Sequence, residues 1–266
     1  MNTAAITSYA PETLNHAIVS PALWLAERKK LLAREKELTR LEDQIARERR
    51  ALPWVRMEKG YAFDTPNGRR NLAELFEGRR QLLVQHFMFA PGWEQGCKSC
   101  SFMADHNDGM TVHLAQRDVS FIAISRAPLA EIEQFRQRMG WKFRWVSSAP
   151  SDFNHDFGVS FSAQDMAAGP VLYNYKRQPF PHEEAPGISI FVMDDSGEVF
   201  HTYSRFGRGV EVMMGTYHLL DLTPMGRDED ELSYGMEWVR HHDRYEAAPA
   251  AAASAGNTDA GSCCGR

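Results

Sequence analysis

A chain of 266 residues, 43% of them hydrophobic and 24% charged, can bury a full core as one domain with additions. Its formal net charge of -5 at pH 7 lacks the basic surplus of a nucleic-acid-binding protein, so we expect no nucleic-acid partner. The sequence shows neither a positively charged start followed by an apolar run nor a stretch long and apolar enough to span a membrane, which predicts a cytoplasmic protein without a membrane partner.

The first predicted element is a long helix over residues 22–52. Pro21 suits a first helical turn and Pro53 ends the helix. One narrow apolar stripe, of the width of a coiled-coil seam, repeats at every seventh position: Trp24, Leu31, Leu38, Ile45 and Leu52. Two interpretations stay open, because such a helix can pack along its own domain or pair two chains as a homodimer.

The stretch from Leu82 to Gly109 reads as strand, turn, dithiol and helix. Its first eight residues, Leu82 to Phe89, are almost all apolar, which predicts a strand buried on both faces of a sheet. After a turn, Cys97 and Cys100 form a Cys-x-x-Cys, and the residues that follow have helical spacing.

The chemistry of this dithiol depends on its place at the start of a helix. Unpaired backbone N–H groups there favour a thiolate and lower the pKa of Cys97 below the free value of roughly 8.5. We therefore predict that Cys97 is the catalytic nucleophile and that Cys100, one turn further on, resolves the mixed disulfide. The neighbouring charges of Glu94 and Lys98 are predicted to modulate the pair, and the positive charge of Lys98 favours the thiolate.

Two other interpretations of a Cys-x-x-Cys are half of a zinc site and a pair of inert thiols. Zinc needs two further ligands, and the remaining cysteines, Cys263 and Cys264, are adjacent in a low-complexity tail. We expect neither a metal nor a cofactor. The tail pair could instead exchange disulfides with the core dithiol through its flexible connection.

After the dithiol, strands and helices alternate, which implies parallel neighbouring strands and right-handed crossovers. The predicted elements around it are an edge hairpin within 53–78, a buried strand at Val119–Ser125, a helix from Pro128 to Gly140 and a half-exposed strand at Trp141–Ser148.

The segment from Ala149 to Gly187 interrupts this alternation and is too long for an ordinary connection. Because it is rich in aromatic residues, we expect it to fold over the sheet near the dithiol. The predictions for the remainder are a strand at Ile188–Met193, a hairpin through Asp195–Gly197, a last helix at Arg208–Leu222 and a surface segment at 225–245. Adjacent His241, His242 and Asp243 in that segment are expected to be a solvated end and not a metal site.

This order of elements is the layout of the thioredoxin fold. Phrases such as FMFAPGWEQGCKSCSFMADHNDG and ISIFVMDDSGEVFHTYSR resemble a bacterial family of thioredoxin-like proteins known as domain of unknown function 899. The resemblance spans roughly Trp24 to Tyr245. Members are described as predicted dithiol-disulfide oxidoreductases or isomerases, so the substrates it implies are protein or small-molecule disulfides and thiols.

The fold class that follows is α/β and thioredoxin-like, a central mixed sheet flanked by helices. Its additions are the long N-terminal helix and the long insertion before the strand that a cis-proline precedes. The resemblance implies that Pro186 is that cis-proline and lies beside the dithiol, with Trp93, Pro186 and Gly187 binding substrate. We divide the chain into an arm and helix (1–53), a thioredoxin-like domain (54–224), a surface extension (225–245) and a disordered tail (246–266).

Departures from better-known relatives leave two alternatives to a thiol-disulfide oxidoreductase. A peroxiredoxin has a Pro and a Thr or Ser ahead of its reactive cysteine, where this chain has Ala90 and Glu94, so a thiol peroxidase is the second choice. A thioredoxin has Trp-Cys-Gly-Pro-Cys, whereas here three residues separate Trp93 from Cys97 and Lys98-Ser99 stand between the cysteines. The third interpretation is a non-enzymatic interaction scaffold that uses the long helix.

Overall fold

The computed structural model describes residues 16–246. Seven α-helices occur in this range: α1 Pro21–Arg50, α2 Lys98–Ala104, α3 Asn107–Ala115, α4 Leu129–Arg138, α5 Phe153–Asp156, α6 Ala163–Ala168 and α7 Gly215–Leu220. The tail cysteines Cys263 and Cys264 lie outside the described residues.

Ten strands accompany these helices: β1 Val55–Arg56, β2 Ala62–Thr65, β3 Gly68–Asn71, β4 Gln81–His86, β5 Val119–Ser125, β6 Trp145–Ser147, β7 Val171–Tyr173, β8 Lys176–Gln178, β9 Gly187–Met193 and β10 Val199–Phe206. Eight of them form one sheet in the order β1-β10-β9-β4-β5-β6-β2-β3, and β7 pairs with β8 separately.

The centre of the large sheet has the strand order and directions of the thioredoxin fold. Strand β4 pairs in parallel with β5 and antiparallel with β9, and β10 pairs antiparallel with β9. Strand β6 extends the sheet in parallel beyond β5, and the β2-β3 hairpin covers that edge. The predicted thioredoxin-like fold class is therefore confirmed, with the extra strands at the two edges.

The sheet is covered on both faces, as the apolar composition of its inner strands requires. Alternate residues of β5 belong to two separate clusters, with Phe121 and Ala123 on the dithiol side and Ile122 and Ile124 on the opposite side. Strand β4 divides in the same way, so Gln85 and His86 lie on opposite faces.

Helix α1 agrees with its prediction of 22–52 to within two residues at each end. Pro21 is the first helical residue, and the Ser20 side chain accepts a hydrogen bond from the Leu23 backbone N–H at 3.3 Å. No residue of α1 is buried. Near its C-terminal end the Arg49 guanidinium lies 4.9 Å from the centre of the Tyr203 ring on β10.

The insertion between β6 and β9 folds as α5, α6 and the β7-β8 hairpin around a small aromatic core of its own. Its two ends pair where the Ala185 backbone N–H donates to the Val159 carbonyl at 2.8 Å. The predicted position near the dithiol is confirmed, since Trp93 Nε1, four residues before Cys97, donates to a carboxylate oxygen of Glu183.

Two predicted elements differ from the structure. The strand at Trp141–Ser148 is reduced to Trp145–Ser147 and is buried on both faces, because Trp145 packs into the core on the dithiol side and Val146 into the core on the opposite side. The last helix at Arg208–Leu222 is a 3-10 helix, Gly207–Met213, followed by the short α7. The break falls at Met214, whose backbone is not helical (φ -104°, ψ 73°), and an added Cβ at the following Gly215 would lie 3.2 Å from the ring of His106, the residue before α3.

Candidate active site

Cys97 occupies the N-cap of α2, directly after the loop that follows β4. Its backbone N–H donates to the Met88 carbonyl at 3.0 Å, and its carbonyl accepts from the Ser101 backbone N–H at 2.9 Å. Both cysteines are free thiols, with Cys97 half-buried and Cys100 buried. The chain thus presents the first thiol at the surface and the second beneath it, one helical turn apart.

The two thiols differ in acidity because each acts on the other. The pKa of Cys97 is lowered to about 7, chiefly by a hydrogen bond from the Cys100 thiol and, against the effect of burial, by the N–H groups of Cys100 and Ser99 and the Ser99 hydroxyl. The same hydrogen bond, together with burial, raises the pKa of Cys100 well above its usual range. One thiol is therefore ready to ionise near neutral pH, and the other holds its proton.

A buried polar chain supports Cys100 from the sheet. The Gln85 side chain on β4 donates to the Cys100 carbonyl at 3.4 Å, and the Asn107 side chain donates to Gln85 at 2.6 Å. Both side chains are fully buried. This chain fixes the start of α3 and the first turn of α2 against β4.

The two residues predicted to modulate the dithiol face away from it or into solvent. Lys98 donates through Nζ to the Glu237 carbonyl at 2.9 Å and lies 5.7 Å from the centre of the Tyr234 ring. Its ammonium group therefore ties α2 to the C-terminal segment. Glu94 is exposed in the loop ahead of Cys97.

Trp93 and two insertion carboxylates stand on one side of the dithiol. The Trp93 indole is half-buried and donates to Glu183 at 3.1 Å. Glu184 is 1% exposed and accepts hydrogen bonds from Arg126 at 2.6 Å and from the Ser160 hydroxyl at 2.7 Å. Burial raises the pKa of Glu184, and its charge contributes to the raised pKa of Cys100.

The prediction that Pro186 is cis is wrong, because every peptide bond within residues 16–246 is trans. Trans is the lower-energy form by roughly 0.5–1 kcal/mol, and here the paired insertion delivers the chain to β9 without a cis bond. The Pro186 carbonyl accepts a hydrogen bond from the Tyr173 hydroxyl at 2.8 Å. Pro186 nevertheless lines the same cavity as Cys100.

Gly187, predicted to bind substrate, is buried as the first residue of β9. It pairs with His86 on β4 and with Phe206 on β10, and an added Cβ would lie 2.7 Å from the Phe206 ring. Its role in the fold is to let these three strands approach closely below Pro186.

The C-terminal segment closes the other side of the dithiol, which the sequence did not indicate. His241 is 6% exposed and its Nε2 lies 2.9 Å from the carbonyl of Gly96, the residue before Cys97. Gly96 itself has no room for a side chain, since an added Cβ would lie 2.6 Å from the Phe87 ring and 2.9 Å from the Phe135 ring. The loop before the nucleophile is therefore held from three directions.

The functional residues that sequence reasoning missed are Ser99, Glu184, Arg126 and His241. Only Ser99 had a local signal, because it stands inside the Cys-x-x-Cys. Glu184 and His241 come from remote stretches of polar residues, in which nothing distinguishes them from their neighbours. No group of three or more His, Cys, Asp or Glu side chains in the described part of the chain could hold a metal ion, and there His242 pairs with Asp105 and Asp243 with Arg138.

A thioredoxin fold that carries a Cys-x-x-Cys between β4 and α2 defines a thioredoxin-like protein. The chain belongs to DUF899, a family of bacterial proteins of unknown function, whose model matches residues 13–245. No protein of curated function matches the sequence.

Several solved structures are similar to this one. Peroxidoxin BcpB from Mycobacterium tuberculosis matches with a TM-score of 0.39 and 16% identity over 62% of this chain and 94% of its own. The bacterioferritin comigratory protein of Xanthomonas campestris matches with a TM-score of 0.39 and 10% identity over 58% of this chain and 88% of its own. A protein assigned as thiol:disulfide interchange protein DsbE from Chlorobium tepidum matches with a TM-score of 0.37 and 12% identity over 62% of this chain and 97% of its own. Matches of this size carry no argument about activity.

Proposed function

We propose that this protein is a thiol-disulfide oxidoreductase in which Cys97 attacks and Cys100 resolves. The observation that carries the proposal is the difference between two adjacent thiols. Cys97 is half-buried with a pKa lowered to about 7 by the hydrogen bond from Cys100, and Cys100 is buried with its pKa raised. An accessible thiolate beside a protonated partner is what disulfide exchange requires.

The reaction proceeds in two exchanges. The Cys97 thiolate attacks one sulfur of a substrate disulfide, the substrate S–S bond breaks, one substrate thiolate leaves and a mixed disulfide forms on Cys97. Cys100 then gives its proton to the departing thiolate and attacks the Cys97 sulfur. The second substrate thiolate leaves, so the substrate gains two electrons and the protein holds a Cys97–Cys100 disulfide. A dithiol reductant returns the protein to its starting state.

Residues around the dithiol bind the substrate and modulate the thiols in this proposal. In this proposal Trp93, four residues before Cys97, and Pro186, which lines the cavity at Cys100, contact the bound substrate, and Gly187 holds Pro186 in place through its tight packing between strands. Lys98 and Glu94 are weak modulators through charge in this proposal, because Lys98 Nζ is bonded to the Glu237 carbonyl and Glu94 is exposed.

The test is to trap the mixed disulfide. A Cys100→Ser variant treated with bis(hydroxyethyl) disulfide should retain a stable adduct on Cys97, because no resolving thiol remains. Peptide mapping by mass spectrometry locates the adduct, which matters because Cys263 and Cys264 also carry thiols. The Cys97→Ser variant is the matched control and should show no adduct on Cys100. An adduct on Cys100 in that control, with none on Cys97 in the first variant, would contradict the assignment.

A further inference from the structure

A cavity of about 900 Å³ opens beside the dithiol. Cys100, Ser99 and Pro186 line one side of it, and the C-terminal segment forms the opposite side. Its volume falls in the range of roughly 300–1,000 Å³ that holds small organic ligands. A group bound there would therefore lie against Cys100, one helical turn from Cys97.

The inner wall of this cavity is made largely of methionine. Five of these side chains line it: Met88, Met103, Met214, Met225 and Met236. Three are at least nine-tenths buried, whereas Met225 is 45% exposed at the mouth. Thioethers are flexible and polarisable, so such a wall accommodates apolar and sulfur-containing groups of different shapes.

The mouth of the cavity is negatively charged. Its two arginines are already paired, since Arg227 donates to Asp221 at 2.8 Å and to Glu211 at 3.1 Å, and Arg208 donates to Glu211 at 2.9 Å. Two more carboxylates line the same mouth, Glu229 and Asp230, and no other lysine or arginine of the described chain does so.

Glu229 keeps its negative charge within this arrangement. Burial raises its pKa, but hydrogen bonds from neutral donors, and last the charge of Arg227, lower the pKa overall; the donors are the Tyr217 hydroxyl at 2.6 Å, the Met236 backbone N–H at 2.9 Å and the Trp238 indole at 2.7 Å. These donors fix its position and leave its charge in place, so a cation entering the cavity meets an ordered carboxylate.

We propose that this cavity selects disulfides that carry a small, apolar and positively charged substituent. The apolar part would lie on the methionine wall beside Cys100 and the cationic part at the carboxylates of the mouth. The inference rests on the proposed function, since it names the substrate class of that dithiol. Anionic disulfides such as oxidised glutathione are correspondingly disfavoured.

The binding test uses two redox-inert thioethers of matched shape on the reduced full chain, benzylthioethylamine as the cation and benzylthiopropanoate as the anion. Calorimetry should show the amine binding at least about tenfold more tightly than the acid, because charge alone differs between them. Methionine methyl NMR signals should shift with the amine, which places the ligand on the wall. Equal affinities, tighter binding of the acid, or no shift would overturn the proposal.

Two variants at exposed positions test the charge of the mouth. Met225→Lys should weaken the amine about tenfold and Asp230→Asn about threefold, since each makes the mouth less negative. Asp195→Asn removes a similar charge at a different cavity and should leave both affinities unchanged. If the control weakens the amine as much as the two variants do, the effect is one of net charge and the proposal fails.

The outcomes separate this inference from the proposed function. Binding of a thioether needs no redox step, so the double variant Cys97→Ser, Cys100→Ser should still bind the amine. If the amine binds but the Cys100→Ser variant traps no disulfide, only the proposed function fails. If disulfide is trapped but the amine does not bind, only this substrate class fails.

Discussion

At the scale of single residues, Cys97 depends on Cys100 for its acidity. The hydrogen bond between the two thiols is the largest cause of the lowered pKa of Cys97, and backbone N–H groups and Ser99 contribute less. The dithiol therefore contains its own means of activation, and Lys98, whose ammonium group bonds to the Glu237 carbonyl, is not the main source of it.

The resulting prediction concerns the pH dependence of Cys97. In the unaltered protein its alkylation rate should rise with pH and reach half its maximum near pH 7, because the pKa is about 7. In a Cys100→Ala variant the midpoint should move up towards the free value of about 8.5. Iodoacetamide labelling, quantified on the Cys97 peptide by mass spectrometry, measures both. An unchanged midpoint would show that backbone groups alone activate the thiol.

At the scale of elements, helix α1 exposes the apolar stripe that its sequence predicts. Each residue of its heptad stripe is between 42% and 59% exposed, although at about 1.5 Å per residue the helix is roughly 45 Å long. The interpretation in which the helix packs along its own domain does not fit, because none of its residues is buried. A second copy of α1 offers the same stripe, so pairing of two chains stays our prediction.

We expect the full chain to sediment as a dimer and a Leu31→Glu, Leu38→Glu double variant to sediment as a monomer, because charges on the stripe oppose pairing. The thermal unfolding midpoint of the domain itself should change little, since both side chains are more than half exposed. Lys36→Glu lies off the stripe and serves as the control. A monomeric unaltered chain at micromolar concentration would contradict the prediction.

The sequence predicted those elements whose ends are marked by neighbouring residues, and it did not predict features that depend on contacts across the fold. Helix α1 and β5 were predicted to within two residues, because a proline or a continuous apolar run marks their bounds. The break at Met214 was not predicted, since the adjoining close approach of Gly215 to His106 joins residues that are remote in sequence. In the site, Cys97 and Cys100 carry a motif, whereas the positions of Glu184 and His241 depend on pairing across the fold.

At the scale of the whole molecule, a buried polar chain crosses the face of the sheet opposite to the dithiol. His86 Nε2 lies 2.7 Å from the Ser189 hydroxyl, which lies 2.7 Å from the Ser204 hydroxyl, and His201 Nε2 lies 2.7 Å from Ser204. The chain links β4, β9 and β10, and the His86 ring is stacked on aromatic rings of the insertion. Its charge state therefore affects the central sheet and the insertion together.

Burial, and next the electrostatic interaction with His201, lower the pKa of His86 to about 3. The unfolded chain has a histidine pKa of about 6.5, so between those values the unfolded state binds more protons and stability falls as pH falls. His86 contributes its full stabilisation above about pH 6.5, and going down to pH 4 removes on the order of 3 kcal/mol at 1.36 kcal/mol per pH unit.

This contribution can be isolated by measuring the free energy of unfolding in urea at pH 7, 6, 5 and 4. A His86→Gln variant should lose less stability over that range than the unaltered chain, because glutamine takes up no proton, even if its stability at pH 7 is lower. His182→Gln removes an exposed histidine and should keep the original slope. Since His201 is also held neutral by burial, a His86→Gln, His201→Gln double variant should flatten the dependence further. Parallel curves for all four proteins would mean that acid unfolds the molecule elsewhere.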